Sequence, residues 1–142
     1  MAESGLSVQE REAVKQRAKE LRAQEKAGKD RAAGDAAVRE AIAKLGDSDR
    51  ATGEGLYRVV TTVAPQLLPK TYYGMPAFAN EAGKPVVFLR PADKFGERYA
   101  TIGFEDRAAL DDGELWPVAF AVPAWSAQVE ARVEDLVRTA TR

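Results

Sequence analysis

Asp111-Asp112-Gly113-Glu114 is the densest acidic stretch of the chain, with Glu105 and Asp106 close by in sequence. Three carboxylates around a glycine, those of Asp111, Asp112 and Glu114, are oxygen donors of the kind that ligate a hard cation. Their spacing is not that of an EF-hand loop, which alternates its ligands and ends on a distant bidentate Glu. The competing expectation is a solvated turn. The chain contains no His and no Cys. That removes catalytic zinc, thiolate sites, a His-containing iron triad and every His-dependent acyl-transfer triad. No Gly-x-Ser-x-Gly elbow occurs, and Gly53-Glu54-Gly55 has the wrong spacing for a phosphate loop. Carboxylate or lysine acid–base chemistry stays open, but no motif points to it, so no catalytic residue and no cofactor are expected.

A second chemical resource is aromatic. Ten of the eleven aromatic residues lie between Tyr72 and Trp125. Period-two geometry puts Lys70 and Tyr72 on one face of a first strand, with Thr71 and Tyr73 on the other; Phe88 and Arg90 likewise share a face. In Tyr73-Gly74-Met75-Pro76, Gly74 permits positive φ or close backbone approach, and Pro76 holds Met75 extended. These residues suggest a cleft of Lys70, Tyr72, Met75, Phe88, Arg90 and Trp116 for a small anionic or aromatic ligand. The alternative is that all the rings are core and both cations are solvated.

Charge and length narrow the partners. At 142 residues the chain fits one domain, and its net charge of −1 provides no field for nucleic acid or anionic lipid. Residues 11–31 hold eight basic against four acidic side chains. Without interleaved aromatics they read as a solvated helix face. No apolar run is long enough for a membrane helix, no apolar leader stands at the N-terminus, and Cys is absent. A cytoplasmic monomer that binds neither nucleic acid nor membrane is expected, with an unknown small molecule or protein as partner.

The elements that must position these residues follow from periodicity. Ser7-Val8-Gln9-Glu10 reads as a capping box, opening a helix to about Lys26 with a stop at Gly28. Its apolar stripe, Val14, Ala18 and Leu21, is thin, so the helix is expected to dock weakly, with 27–34 as linker. Asp35 is expected to cap a second helix with Val38, Ala41, Ile42 and Leu45 on one face, closed by a left-handed Gly46. Ser48 is expected to cap a third, with Leu56, Val59, Val60 and Val63, ended by Pro65. Strands are expected over 70–74, 85–90, 99–104 and 116–122, and Ser126 caps a last helix carrying Val129, Val133, Leu136, Val137 and Ala140. This is an α+β pattern: an antiparallel sheet of about four or five strands with two N-terminal helices and one C-terminal helix, spanning 35–142 behind a charged helical extension and linker, 1–34.

The strand region resembles the YdhG-like family. The residues that carry the likeness are Lys70-Thr71-Tyr72-Tyr73-Gly74-Met75-Pro76-Ala77-Phe78, Gly83-Lys84-Pro85-Val86-Val87-Phe88, Tyr99-Ala100-Thr101-Ile102-Gly103-Phe104 and Leu110-Asp111-Asp112-Gly113-Glu114-Leu115-Trp116-Pro117. The likeness covers about 36–140, and family members often carry Trp where Tyr73 stands. It implies an α+β fold with a curved antiparallel sheet but no established activity. Some members are described as frataxin-like iron chaperones, which implies iron handling through Asp111, Asp112 and Glu114. Three readings stay open: a non-enzymatic binding or accessory domain with a ligand on the aromatic sheet, carboxylate-based iron handling, and an enzyme of unrecognised type.

Overall fold

Alternation in two segments organises the molecule. In the computed structural model, which describes residues 6–27 and 31–142, strands β3 (Pro85–Arg90) and β4 (Ala100–Phe104) pair antiparallel. Val87 stands opposite Phe104 and Leu89 opposite Ile102, all four buried. The intervening residues, Phe88 and Arg90 with Gly103 and Thr101, turn to the other face. Two further strands, β1 (Leu68–Tyr72) and β2 (Met75–Ala79), extend the sheet on one side, and β5 (Ala119–Val122) on the other. The five-stranded order is β1-β2-β3-β4-β5, antiparallel throughout.

Helices α2 (Arg31–Ala43), α3 (Asp47–Val63) and α5 (Ala127–Ala140) bring their apolar stripes to the face of Val87 and Ile102. Val38 and Ile42, Leu56, Val59 and Val60, and Val133 and Val137 form one cluster with Phe78 and Leu89. Each fully buried large side chain contributes about 1.5–3 kcal/mol by leaving water. The fold is α+β, as the periodicity indicates. The described residues form five helices, because the N-terminal α1 (Val8–Ala27) and a single turn, α4 (Ala92–Phe95), add to the three core helices. Among the described residues no helix is long and apolar enough to cross a membrane.

The capping expectations divide cleanly. At the capping box of α1 the Ser7 N–H donates to Glu10 Oε1 at 2.9 Å and the Glu10 N–H to Ser7 Oγ at 3.0 Å. Ser126 Oγ accepts from the Val129 N–H at 3.2 Å and opens α5. Asp35 and Ser48, in contrast, are not caps. α2 begins four residues before Asp35, whose carboxylate accepts the Tyr57 hydroxyl at 2.6 Å. Gly46, expected to be left-handed, is extended (φ −67°, ψ 169°) and is itself the N-cap residue of α3. The carbonyl of Leu45 is met by the Arg50 guanidinium at 3.1 Å, so the link between the helices closes without a left-handed glycine. Gly28 and residues 29–30 of the expected linker lie outside the described residues.

Two strand expectations shift. The piece 70–74 is the end of β1 plus a turn, and β2 was not expected at all. Every residue of β2 is buried, so it shows no alternation, and Pro76 argues against a central strand. Pro76 is tolerated because the Tyr72–Met75 pair closes the hairpin, which turns the Pro76 nitrogen away from β1, while pairing with β3 begins at Ala77. Trp116, Pro117 and Val118 precede the edge strand β5 rather than belonging to it.

Candidate functional site

The hairpin between β1 and β2 turns through Tyr73 (φ 54°) and Gly74 (φ 79°), the left-handed pair of a type I′ turn. Tyr73 is the one non-glycine described residue at positive φ, a conformation that persists only where its surroundings enforce it. Here they come from both sides. Its ring meets Tyr72 edge-on at 4.9 Å, and the Arg17 guanidinium lies over both rings at 5.0 and 5.7 Å. Lys94 Nζ donates to the Tyr73 carbonyl at 3.4 Å, and Glu20 Oε2 accepts the Gly74 N–H. A Cβ at Gly74 would collide with the Lys94 ammonium, so the turn glycine also makes room for the cation.

The docking of α1 overturns the expectation about its face. Val14 and Leu21 are 49% and 51% exposed, whereas Ala13, Arg17 and Glu20 turn inward. The sheet edge offers backbone polar groups rather than apolar surface, and a helix covering them must supply partners. Arg17 Nη1 donates to the Thr71 carbonyl at 3.4 Å and Glu20 takes the Gly74 N–H.

Between α1, α2 and β1, with α4 at one end, lies a groove of about 860 Å³. Ala37 and Ala41 of α2, Leu45 just beyond its end, and Leu68 and Pro69 of β1 form its apolar wall. α2 can lie this close because Gly34 has no side chain to meet the Pro69 carbonyl. The groove's half-buried or buried charged groups are Lys70, Lys94, Glu20 and Asp49, and the exposed Lys19, Arg31, Glu40, Lys44 and Asp93 line it as well. Asp49 is buried and already engaged, accepting the Ala92 and Asp93 N–H groups at 3.1 Å each. Lys70 Nζ donates to the Gly83 carbonyl at 3.0 Å. Burial, with the Arg17 charge behind it, pushes the Lys70 ammonium below its ordinary pKa, and the Glu20 charge opposes the shift. Burial lowers Lys94 in the same way, again opposed by Glu20. Among the described residues neither lysine forms an ion pair. Glu20 is 5% exposed; its Oε1 forms an ion pair with Arg17 Nη1 at 3.5 Å and accepts no hydrogen bond among the described residues.

Of the six residues expected in a cleft, five share the outer face of the sheet. Tyr72 pairs with Met75, Lys70 with Ala77 and Ala77 with Phe88, and Arg90 follows Phe88 by two. Tyr72 and Phe88 are half-buried with ring centroids 6.0 Å apart, and Met75 is buried. Arg90 is held internally, with Nε 2.8 Å from Glu97 Oε1 and its guanidinium 3.9 Å over the Phe95 ring. Trp116 lies in the β4–β5 connection and packs against the core cluster. Only Lys70 of the six lines the groove. Asp111, Asp112 and Glu114 are exposed around Gly113 (φ 69°). Among the described residues no three His, Cys, Asp or Glu side chains are grouped to hold a metal ion.

Glu20, Lys94 and the small-residue face of α2 escaped sequence reasoning. Ala13, Arg17 and Glu20 do recur at i, i+4, i+7, but a polar stripe competes poorly with the apolar stripe of Val14, Ala18 and Leu21 on the same helix. Lys94 sits in a single helical turn and carries no motif. No family model, curated protein or solved structure matches the chain.

Proposed function

We propose that the chain is a non-enzymatic binding domain that holds a small anion with an apolar body in the groove between α1, α2 and β1. The observation that carries this reading is the pair of partly buried ammonium groups, Lys70 and Lys94, lining one concavity without a carboxylate partner among the described residues. A partly desolvated cation gains more from an anion than a solvated one does, and the alanine, leucine and proline wall accommodates an apolar body beside it. About 860 Å³ suits a ligand of modest size. The resemblance to YdhG-like domains adds the architecture to this reading and nothing about the ligand. The test is calorimetric titration with apolar carboxylates such as 3-phenylpropanoate. Binding is expected to the natural chain and to be lost in Lys70→Met/Lys94→Met. Equal binding of the neutral amide 3-phenylpropanamide would sink the reading.

A further inference from the structure

The two edges of the sheet differ. β1 is covered: Arg17 of α1 donates to the Thr71 carbonyl, and Gly34 of α2 lies against the Pro69 carbonyl. β5 pairs on one side only. The Phe104 N–H donates to the Val118 carbonyl at 2.8 Å, and Ile102 stands opposite Phe120. Alternation therefore aims the backbone groups of Val118, Phe120 and Val122 at β4, and those of Ala119 and Ala121 away from the sheet. Edges left open like this are ordinarily blunted by a lysine, a bulge or an internal proline; residues 118–122 have none of these. Beside the edge, β5 and α5 enclose an apolar groove of about 450 Å³ lined by Phe120, Val122, Val129, Val133 and Leu136, with Arg132 as its one charge. Beyond Ala27, the large apolar side chains left exposed among the described residues are Leu115 and Val118, both on the lead into β5.

Residues 117–123 read Pro-Val-Ala-Phe-Ala-Val-Pro, the same in both directions. An antiparallel two-fold pairing centred on Phe120 thus sets each residue against its own kind. We infer that this edge joins a second copy of the chain, in place of the monomer expected from the sequence, and makes the two sheets continuous. Ala119 of each copy exchanges hydrogen bonds with Ala121 of the other, so every outward N–H and carbonyl between the prolines is met. Phe120 meets Phe120 across the axis in the close, non-hydrogen-bonded arrangement, and Val118 meets Val122. Sliding the register by two residues either way would press a proline ring against an alanine carbonyl; the centred register keeps the prolines at the ends. The inward side chains of the second copy extend into the groove beside α5, while the exposed Arg132 keeps its charged head in water. Residues 117–123 span about 23 Å at roughly 3.3 Å per residue, and a strand layer plus a helix is about 20 Å deep. The two copies together bury about 900 Å², the low end of specific interfaces, so the dimer is weak and reversible.

The experiment is sedimentation equilibrium of the full chain from about 1 µM to about 1 mM, the range expected for so small an interface. The mass is expected to rise from that of one chain toward that of two. Hydrogen exchange by NMR is expected to slow at the Ala119 and Ala121 amides as concentration rises. Ala121→Pro removes an outward N–H that bonds nothing within the chain, and Val118→Lys puts a charge at an exposed position facing the second copy's Val122. Each is expected to raise the dissociation constant ten-fold or more, with the thermal melt of the monomer retained. A natural chain that stays monomeric at 1 mM overturns the proposal. So does a dimer that neither variant weakens, because it must use another surface. Should the chain stay monomeric yet bind an isolated peptide of residues 117–123, the edge takes a foreign strand and the second copy is wrong. Exchange at the two amides of the natural chain decides the matter if either variant fails to fold: protection that does not grow with concentration sinks the pairing.

Discussion

Gly34 illustrates how one atom's absence sets a wall of the groove. Inside helix α2 an alanine would be preferred over glycine by about 1 kcal/mol on propensity alone. A Cβ at Gly34 would, however, run into the backbone carbonyl of Pro69, which cannot swing aside as a flexible side-chain tip can. Gly34→Ala is therefore expected to destabilise the fold by about 1–3 kcal/mol net, the usual cost of overpacking, as read from urea unfolding. Stabilisation would mean that α2 does not press on β1 at this point. Gly34 and its neighbours read locally as linker, since small residues beside a glycine carry no stripe. Only the contact with Pro69 gives the glycine its meaning.

Among the elements, the α3–α5 contact depends on one carboxylate as well as on its buried valines. Glu130 of α5 accepts from Arg58 of α3 at 2.6 Å and from the Trp125 indole N–H at 3.0 Å. The Arg58 hydrogen bond, then that of Trp125, hold the Glu130 carboxyl below its ordinary value of 4.5. Because the folded-state pKa is depressed, this contribution is present above pH 4.5 and is lost as the pH falls through the folded value. Glu130→Gln is expected to be less stable than the natural chain in urea at pH 7, with the gap narrowing near pH 3. An unchanged gap across that range would show that the charge is not what joins the helices. The α5 side of this contact was legible beforehand in Ser126 and the Val129–Val133–Val137 spacing. The partner Arg58, 72 residues earlier, was not.

For the whole molecule, the core and the groove belong to different parts of the chain. Among the described residues the hydrophobic cluster contains none before Val38, while Glu20 from α1 lines the groove. A chain beginning at Arg31 is expected to keep a cooperative melt within about 5 °C of the full chain and to lose the response to apolar carboxylates such as 3-phenylpropanoate. Loss of the transition would place α1 in the folding core. The sequence by itself determined the elements whose signals are local. The stripes of α3 and α5, the alternation of β3 and β4, and the caps at Ser7 and Ser126 each depend on side chains within a few residues of one another, so their periodicity is visible before folding. Only the tertiary structure decided that β2 is a strand, that α2 starts at Arg31, that α1 docks by its polar face, and that Lys70, Lys94 and Glu20 line one groove. Burial on both faces erased the alternation of β2. The face that α1 presents depends on the bare N–H and carbonyl groups of a hairpin some 50 residues away. The groove's electrostatics come from desolvation, which no group experiences until the chain has packed around it.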